Sequence, residues 1–158
     1  MQLFRIPKEV LFFLVFSLVV SITISCAPSK KKMTIEAGRI PPGIKGFNGT
    51  LLIIDGNQKS WNKYMTKNFD KHYKGKYAIV SQSELLSTYS DVTIYRFVLY
   101  RNSRLSVNRY TGAVDSRAEK LCMRDRALGA EFCSKLATNF AILIKNYSIA
   151  LEKARSGN

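Results

Sequence analysis

Apolar positions along the chain change period several times, and each change marks an element. Residues 10–24 are almost uninterruptedly apolar behind Arg5, Lys8 and Glu9. As a helix this run spans about 22 Å, short of the ~20 residues that a bilayer core requires. Residues 27–49 show no period and hold Pro28, Pro41, Pro42, Gly38, Gly43, Gly46 and Gly49. That composition predicts a flexible basic tether with a reach of about 25–30 Å.

Regular periodicity begins at Thr50. Residues 50–55 form a short continuous apolar run ended by Asp-Gly-Asn, the pattern of a strand buried on both faces. Over 57–73, Trp61, Met65, Phe69 and His72 recur at helical spacing, and Gly75 ends the helix. Residues 77–81 read as a second strand, which makes a βαβ unit with a parallel pair. A helical turn is expected over 83–86. Residues 92–100, rich in β-branched and aromatic side chains, predict a strand that turns at 101–104 into an alternating strand 105–110. A further turn falls at Tyr110-Thr111-Gly112. Residues 120–124 and 130–133 predict a hairpin about 125–129; the alternative is a helix over 119–133, against which Gly129 and the local alternation argue. Finally Ser134, a good N-cap, opens a helix to about Arg155 marked by Leu136, Phe140, Leu143, Tyr147 and Leu151. The expected fold is α+β: a βαβ unit, then antiparallel strands, then a long C-terminal helix packed on a mixed sheet.

The start of the chain carries an address. A charged beginning, a short apolar run and small residues after it describe a signal peptide over 1–25. Thr23-Ile24-Ser25-Cys26 resembles the lipobox of bacterial lipoproteins. The resemblance implies that Cys26 is acylated with palmitate-type chains and becomes the mature N-terminus. It places the protein in the cell envelope, membrane-anchored and facing the periplasm or the cell surface. Residues 26–49 are then the lipidated cysteine and its tether, and 50–158 one domain. Tyr95-Arg96-Phe97-Val98-Leu99, the Asp125-Arg126 turn and the long final helix are together similar to small uncharacterised bacterial lipoproteins, a likeness that implies no activity.

Charge sharpens this picture. The 158 residues carry 25 Lys+Arg against 11 Asp+Glu, a net +14. Residues 26–158 retain 23 basic and 10 acidic side chains, a net +13, so the basicity belongs to the working domain. Lys59, Lys63, Lys67 and Lys71, four apart along the first helix, form one slowly turning stripe opposite the Trp61 face. They are candidate ligands for phosphate-bearing headgroups or another acidic envelope polymer, although a solvated lysine-rich helix face, common in basic proteins, is the more ordinary explanation. The expected partners are the membrane through its anchor, an anionic lipid or polymer, or a protein. Nucleic acid is not expected, because an export signal removes the chain from it.

Chemistry is sparse. Asp55, at the end of the first strand, is the candidate carboxylate for an alternative reading as an envelope hydrolase. Asp55-Gly56-Asn57-Gln58-Lys59-Ser60 lacks the second glycine of a phosphate-binding loop. His72 is the single histidine, and three cysteines are too few for a four-Cys zinc site, so no metal, cofactor or catalytic residue is assigned. With Cys26 acylated, Cys122 and Cys133 remain as an even pair. If Arg124 pairs with Glu131 across the hairpin, Cys122 faces Cys133, and outside the cytoplasm that geometry favours a structural disulfide over two free thiols.

Overall fold

The computed structural model describes residues 32–157. The apolar run 10–24 and Cys26 lie outside the described residues, within which no helix is long and apolar enough to cross a membrane. The chain forms an α+β fold on one mixed five-stranded sheet ordered β2-β1-β3-β4-β5. Its elements are β1 (Thr50–Ile54), α1 (Lys59–His72), β2 (Lys76–Val80), α2 (Gln82–Ser87), β3 (Phe97–Val107), β4 (Val114–Asp125), β5 (Ala130–Cys133) and α3 (Phe140–Ser156). β1 runs parallel to both β2 and β3, and β3-β4-β5 form an antiparallel meander.

The period-2 alternation of strands divides the core in two. Leu51, Ile53, Phe97, Leu99, Leu121 and Met123 join one cluster with Trp61, Met65 and Phe69 of α1 and Leu143, Tyr147 and Leu151 of α3. Trp61, Phe69 and Tyr147 are fully buried there, each large ring contributing about 2–3 kcal/mol of transfer. Leu52, Val80 and Val98 belong to a second cluster, covered by Leu85 of α2 and by Tyr89 and Tyr95. α2 is held by a complete capping box between Ser81 and Glu84, which fixes the turn expected near 83–86.

Three expectations are corrected. The stretch read as a flexible tether is folded from residue 33 onward. Met33, Ile40 and Ile44 are buried in the main cluster, Phe47 packs edge-on against Phe97 at 4.9 Å, and Gly46 N–H donates to Arg155 O at 2.8 Å. Its apolar residues dock one by one, so they leave no period to read. The domain therefore starts before Thr50.

The strand expected at 92–100 begins only at Phe97 and runs through 101–104 without turning. Arg126 draws the preceding loop away by donating to Tyr89 O, Ser90 O and Tyr95 O at 2.7–3.0 Å. Residues 101–104 stay extended because β4 pairs with them, Arg101↔Leu121 to Arg104↔Ala118. The last helix starts at Phe140, capped by the Asn139 side chain, rather than at Ser134. Ser134 is buried and serves β4 instead, its N–H donating to Leu121 O and its Oγ accepting from Leu121 N–H.

One ion pair with a buried carboxylate binds these parts together. Asp125 is completely buried and accepts Arg96 Nε at 2.9 Å and Nη2 at 2.7 Å, with the N–H groups of Ala127 and Leu128 at 3.2 and 3.3 Å. Burial pushes the Asp125 carboxyl up, but the hydrogen bonds and charge of Arg96, with those two amides, outweigh it and hold the carboxyl below its usual range. Arg96→Met strands a buried carboxylate and is expected to cost about 3 kcal/mol, read as a lower urea midpoint at unchanged slope. Because the folded value is the depressed one, the pair stabilises fully above about pH 4 and its contribution is lost as pH falls through the folded value. The acid limb of the melting temperature should accordingly be shallower in Asp125→Asn than in the wild type.

Candidate functional site

A cleft of about 550 Å³ opens at the carboxyl end of β1, where α/β sheets commonly hold ligands. Its floor includes Val98 and Tyr100 of β3, and one wall is the Asp55-Gly56-Asn57 turn. Leu85 and Leu86 of α2 form an apolar lip. Three arginines complete the lining: Arg101 of β3, Arg124 of β4 and Arg126 of the β4–β5 turn. Asp55 is the lone carboxylate in the lining.

Each charge is positioned by a different device. Arg126 spends its donors on the three loop carbonyls, which hold it in place without neutralising it. Arg101 lies over the Trp61 ring at 5.0 Å, donates to Gln58 Oε1 at 2.8 Å and approaches buried Glu119 at 3.5 Å. Arg124 stands over Tyr100 at 5.8 Å and reaches Glu131 at 3.4 Å, with more than half of its side chain open to solvent. The Tyr100 hydroxyl also donates to Glu131. That hydrogen bond, ahead of Arg124, holds the Glu131 carboxyl below its usual range, while burial and then Glu131 push the Tyr100 hydroxyl up. Arg101 is thus paired with Glu119 and Arg124 with Glu131, and Arg126 is the arginine of the lining held by carbonyls rather than by a carboxylate.

The turn at Asp55 is built for packing. Asp55 Oδ1 accepts Asn57 N–H at 2.8 Å and Asn62 Nδ2 at 2.7 Å, and these bonds, Asn62 first, hold its carboxyl below the usual range. A carboxylate so held is a poor proton donor near neutral pH. Gly56 is required sterically: a Cβ there would meet Trp61 Cδ1 at 2.4 Å. The glycine that resembled part of a phosphate loop makes room for the core tryptophan.

The other sequence candidates fall elsewhere. Lys59, Lys63, Lys67 and Lys71 are all exposed along α1, as the stripe predicts, and none lines the cleft. His72 ends α1, about 20 Å of helix away from the Asp55 turn. Burial, then Lys71, Lys145 and Lys74, push its imidazole below the ordinary value. Cys122 and Cys133 are bonded to each other, in the register expected of the hairpin, with Arg124 opposite Glu131. Glu131 and the two sulfurs lie within 4.8 Å of one another, yet the disulfide withholds both thiolates from any metal. Sequence reasoning missed Arg101 and Arg126 as site residues and saw Arg124 only as a pairing partner. The available signal was strand parity, which sets Val98, Tyr100 and Arg124 on the face opposite Leu99 and Met123.

No family model and no curated protein matches the chain. Two solved structures with weak likeness are the PelC dodecamer from Paraburkholderia phytofirmans and a single-substitution variant of it. The first has a TM-score of 0.37 at 10% identity, covering 71% of this chain and 90% of the PelC chain. The second has a TM-score of 0.39 at 9% identity, covering 85% and 95%. Likeness of this size assigns no function.

The disulfide closes a short loop, its cysteines 11 positions apart. Cys122→Ser with Cys133→Ser is expected to lower unfolding free energy by about 2–3 kcal/mol, checked by urea titration alongside the wild type with and without reductant.

Proposed function

We propose that the protein is a lipid-anchored cell-envelope protein whose basic domain binds an acidic group of an envelope component in the β1 cleft. The observation that carries the binding half is that Arg126, held by carbonyls, and the solvent-open Arg124 line a single cleft with Tyr100 and Val98. The anchoring half rests on the signal-like residues 1–25 and on Cys26. In this reading Arg126, tied in place by three carbonyls, supplies fixed positive potential. Arg124 at the open rim supplies donors that a phosphate or carboxylate engages bidentately. Leu85, Leu86 and Tyr100 contact the uncharged part of the ligand. The lysine stripe of α1 adds long-range attraction, which salt screens strongly because all four lysines are exposed. The reading assigns no covalent step.

Two measurements test the halves separately. Fatty-acid labelling in a bacterial host is expected to mark the wild type and to vanish in Cys26→Ala; label in neither removes the anchor. For the cleft, NMR titration with pyrophosphate, and with trigalacturonate as the carboxylate counterpart, is expected to shift amides of 55–57, 98–101 and 124–126. Arg124→Gln should weaken the better probe about tenfold, whereas Lys63→Gln with Lys67→Gln leaves its affinity at fixed salt nearly unchanged. Shifts confined to α1 would move the anion site to the lysine stripe. Hydrolysis of an acidic envelope polymer that disappears in Asp55→Asn would replace binding with catalysis.

A further inference from the structure

Past Tyr100 the β3–β4 pair leaves the sheet. β1 stops pairing with β3 at Ile53↔Leu99 and β5 stops pairing with β4 at Cys122↔Cys133, yet the β3–β4 ladder continues from Asn102↔Lys120 to Val107↔Val114. The Glu119↔Ala137 bridge is the last pairing on the outer edge of β4. Beyond it, residues 103–118 form an arm whose outer edges have no strand partner among the described residues. At about 3.3 Å per residue it projects about 15–20 Å from the body.

The tip is braced. Asn108 Oδ1 accepts the N–H groups of Tyr110 and Thr111 at 2.9 and 3.1 Å, and Asn108 O accepts Gly112 N–H at 2.9 Å. Gly112 supplies the positive φ, +70°, that closes the turn. This frame holds Tyr110 outermost, with its side chain almost wholly exposed at 99%. Leu105, Val107 and Val114 behind it are each about half exposed, at 49, 49 and 57%. Arg104, Arg109 and Arg117 accompany them with Asp115, a net +2 on residues 103–118, and Arg117 also stands 3.9 Å from Glu119 while half exposed.

Two bare strands with apolar side chains on show are marginal in water. An outer surface that accepts both the apolar tip and the guanidinium groups completes them. Edge-to-edge pairing with a second copy would bring like-charged arginines together, which edge strands use to prevent such pairing. An anionic bilayer surface complements both features, because tyrosine and short apolar side chains settle at the headgroup–acyl boundary while arginine meets lipid phosphate. We infer that the 103–118 arm docks on anionic lipid, with Tyr110, Val107 and Val114 entering the interface and Arg104, Arg109 and Arg117 contacting headgroup phosphates. Unpaired edge amides and carbonyls need water, so entry is limited to the tip. The inference extends the envelope reading by naming the surface the domain meets, and its readout does not require lipidation.

Trp61 is the single tryptophan and is buried, so an indole placed at the tip gives a clean signal. The test is Tyr110→Trp in the full chain, added to vesicles of phosphatidylcholine alone or mixed with phosphatidylglycerol. In the anionic vesicles the introduced indole is expected to shift its emission to the blue and to be quenched by bromine-tailed lipid. Arg104→Gln and Arg109→Gln should each reduce the inserted-to-free ratio about fivefold. Emission unchanged from buffer, with no lipid quenching, overturns the inference. A blue shift that lipid does not quench and that grows with protein density also overturns it, since the arm then meets another copy. Loss of the anchor reads out separately, as absence of fatty-acid label, and leaves the quenching measurement intact.

Discussion

The Arg96–Asp125 pair is the constraint around which the other parts are arranged. A carboxylate leaves water at a cost of several kcal/mol, so a fully buried one such as Asp125 persists only when nearly every acceptor is satisfied. Asp125 meets that condition with two bonds from Arg96 and two from the backbone of its own turn. The pair joins the entry of β3 to the β4–β5 turn, and Arg126 N–H, donating to Arg96 O at 2.8 Å, closes the junction. Arg96 also lies against Gly43, where a Cβ would meet its Nη2 at 2.7 Å, so the N-terminal segment is seated by the same guanidinium. Through Arg126 the junction reaches the loop before β3, which covers the second face of the sheet.

That junction explains why the two faces of the sheet differ. One face is sealed by α1 and α3 over a continuous apolar cluster. The other receives only α2 and the 88–96 loop, which cover Leu52, Val80 and Val98 and stop short of Tyr100 and Arg124. The uncovered remainder is the cleft. Arginines suit such a position because a guanidinium lies on an aromatic face and keeps its in-plane donors for acceptors. Arg101 over Trp61 and Arg124 over Tyr100 both do so.

The arm and the cleft belong to one continuous pair of strands. β3 and β4 pass from the sealed core, along the cleft, to a solvent-exposed tip, so the disulfide and the Arg96–Asp125 pair brace a hairpin whose far end projects from the body. A rigid root gives a projecting hairpin a defined direction, which a flexible loop of equal length lacks. The exposed lysines of α1 add to the same positive field.

Much of the fold was legible in the residues because it depends on local patterns. Trp61, Met65 and Phe69 at four-residue spacing marked the inner face of α1, and a short hairpin set Cys122 opposite Cys133 and Arg124 opposite Glu131. Those relations span few positions, so the period and the turn determine them. The folding of residues 33–49 onto the body, the late start of β3 and α3, and the gathering of Arg101, Arg124 and Arg126 around Asp55 were decided only in three dimensions. Arg126 reaches carbonyls 31–37 positions back, Arg96 reaches an acid 29 positions ahead, and Arg39 reaches Cys133 O across 94. Such bonds leave no periodic trace, because a guanidinium on a long stem finds whichever acceptor the packed chain brings near.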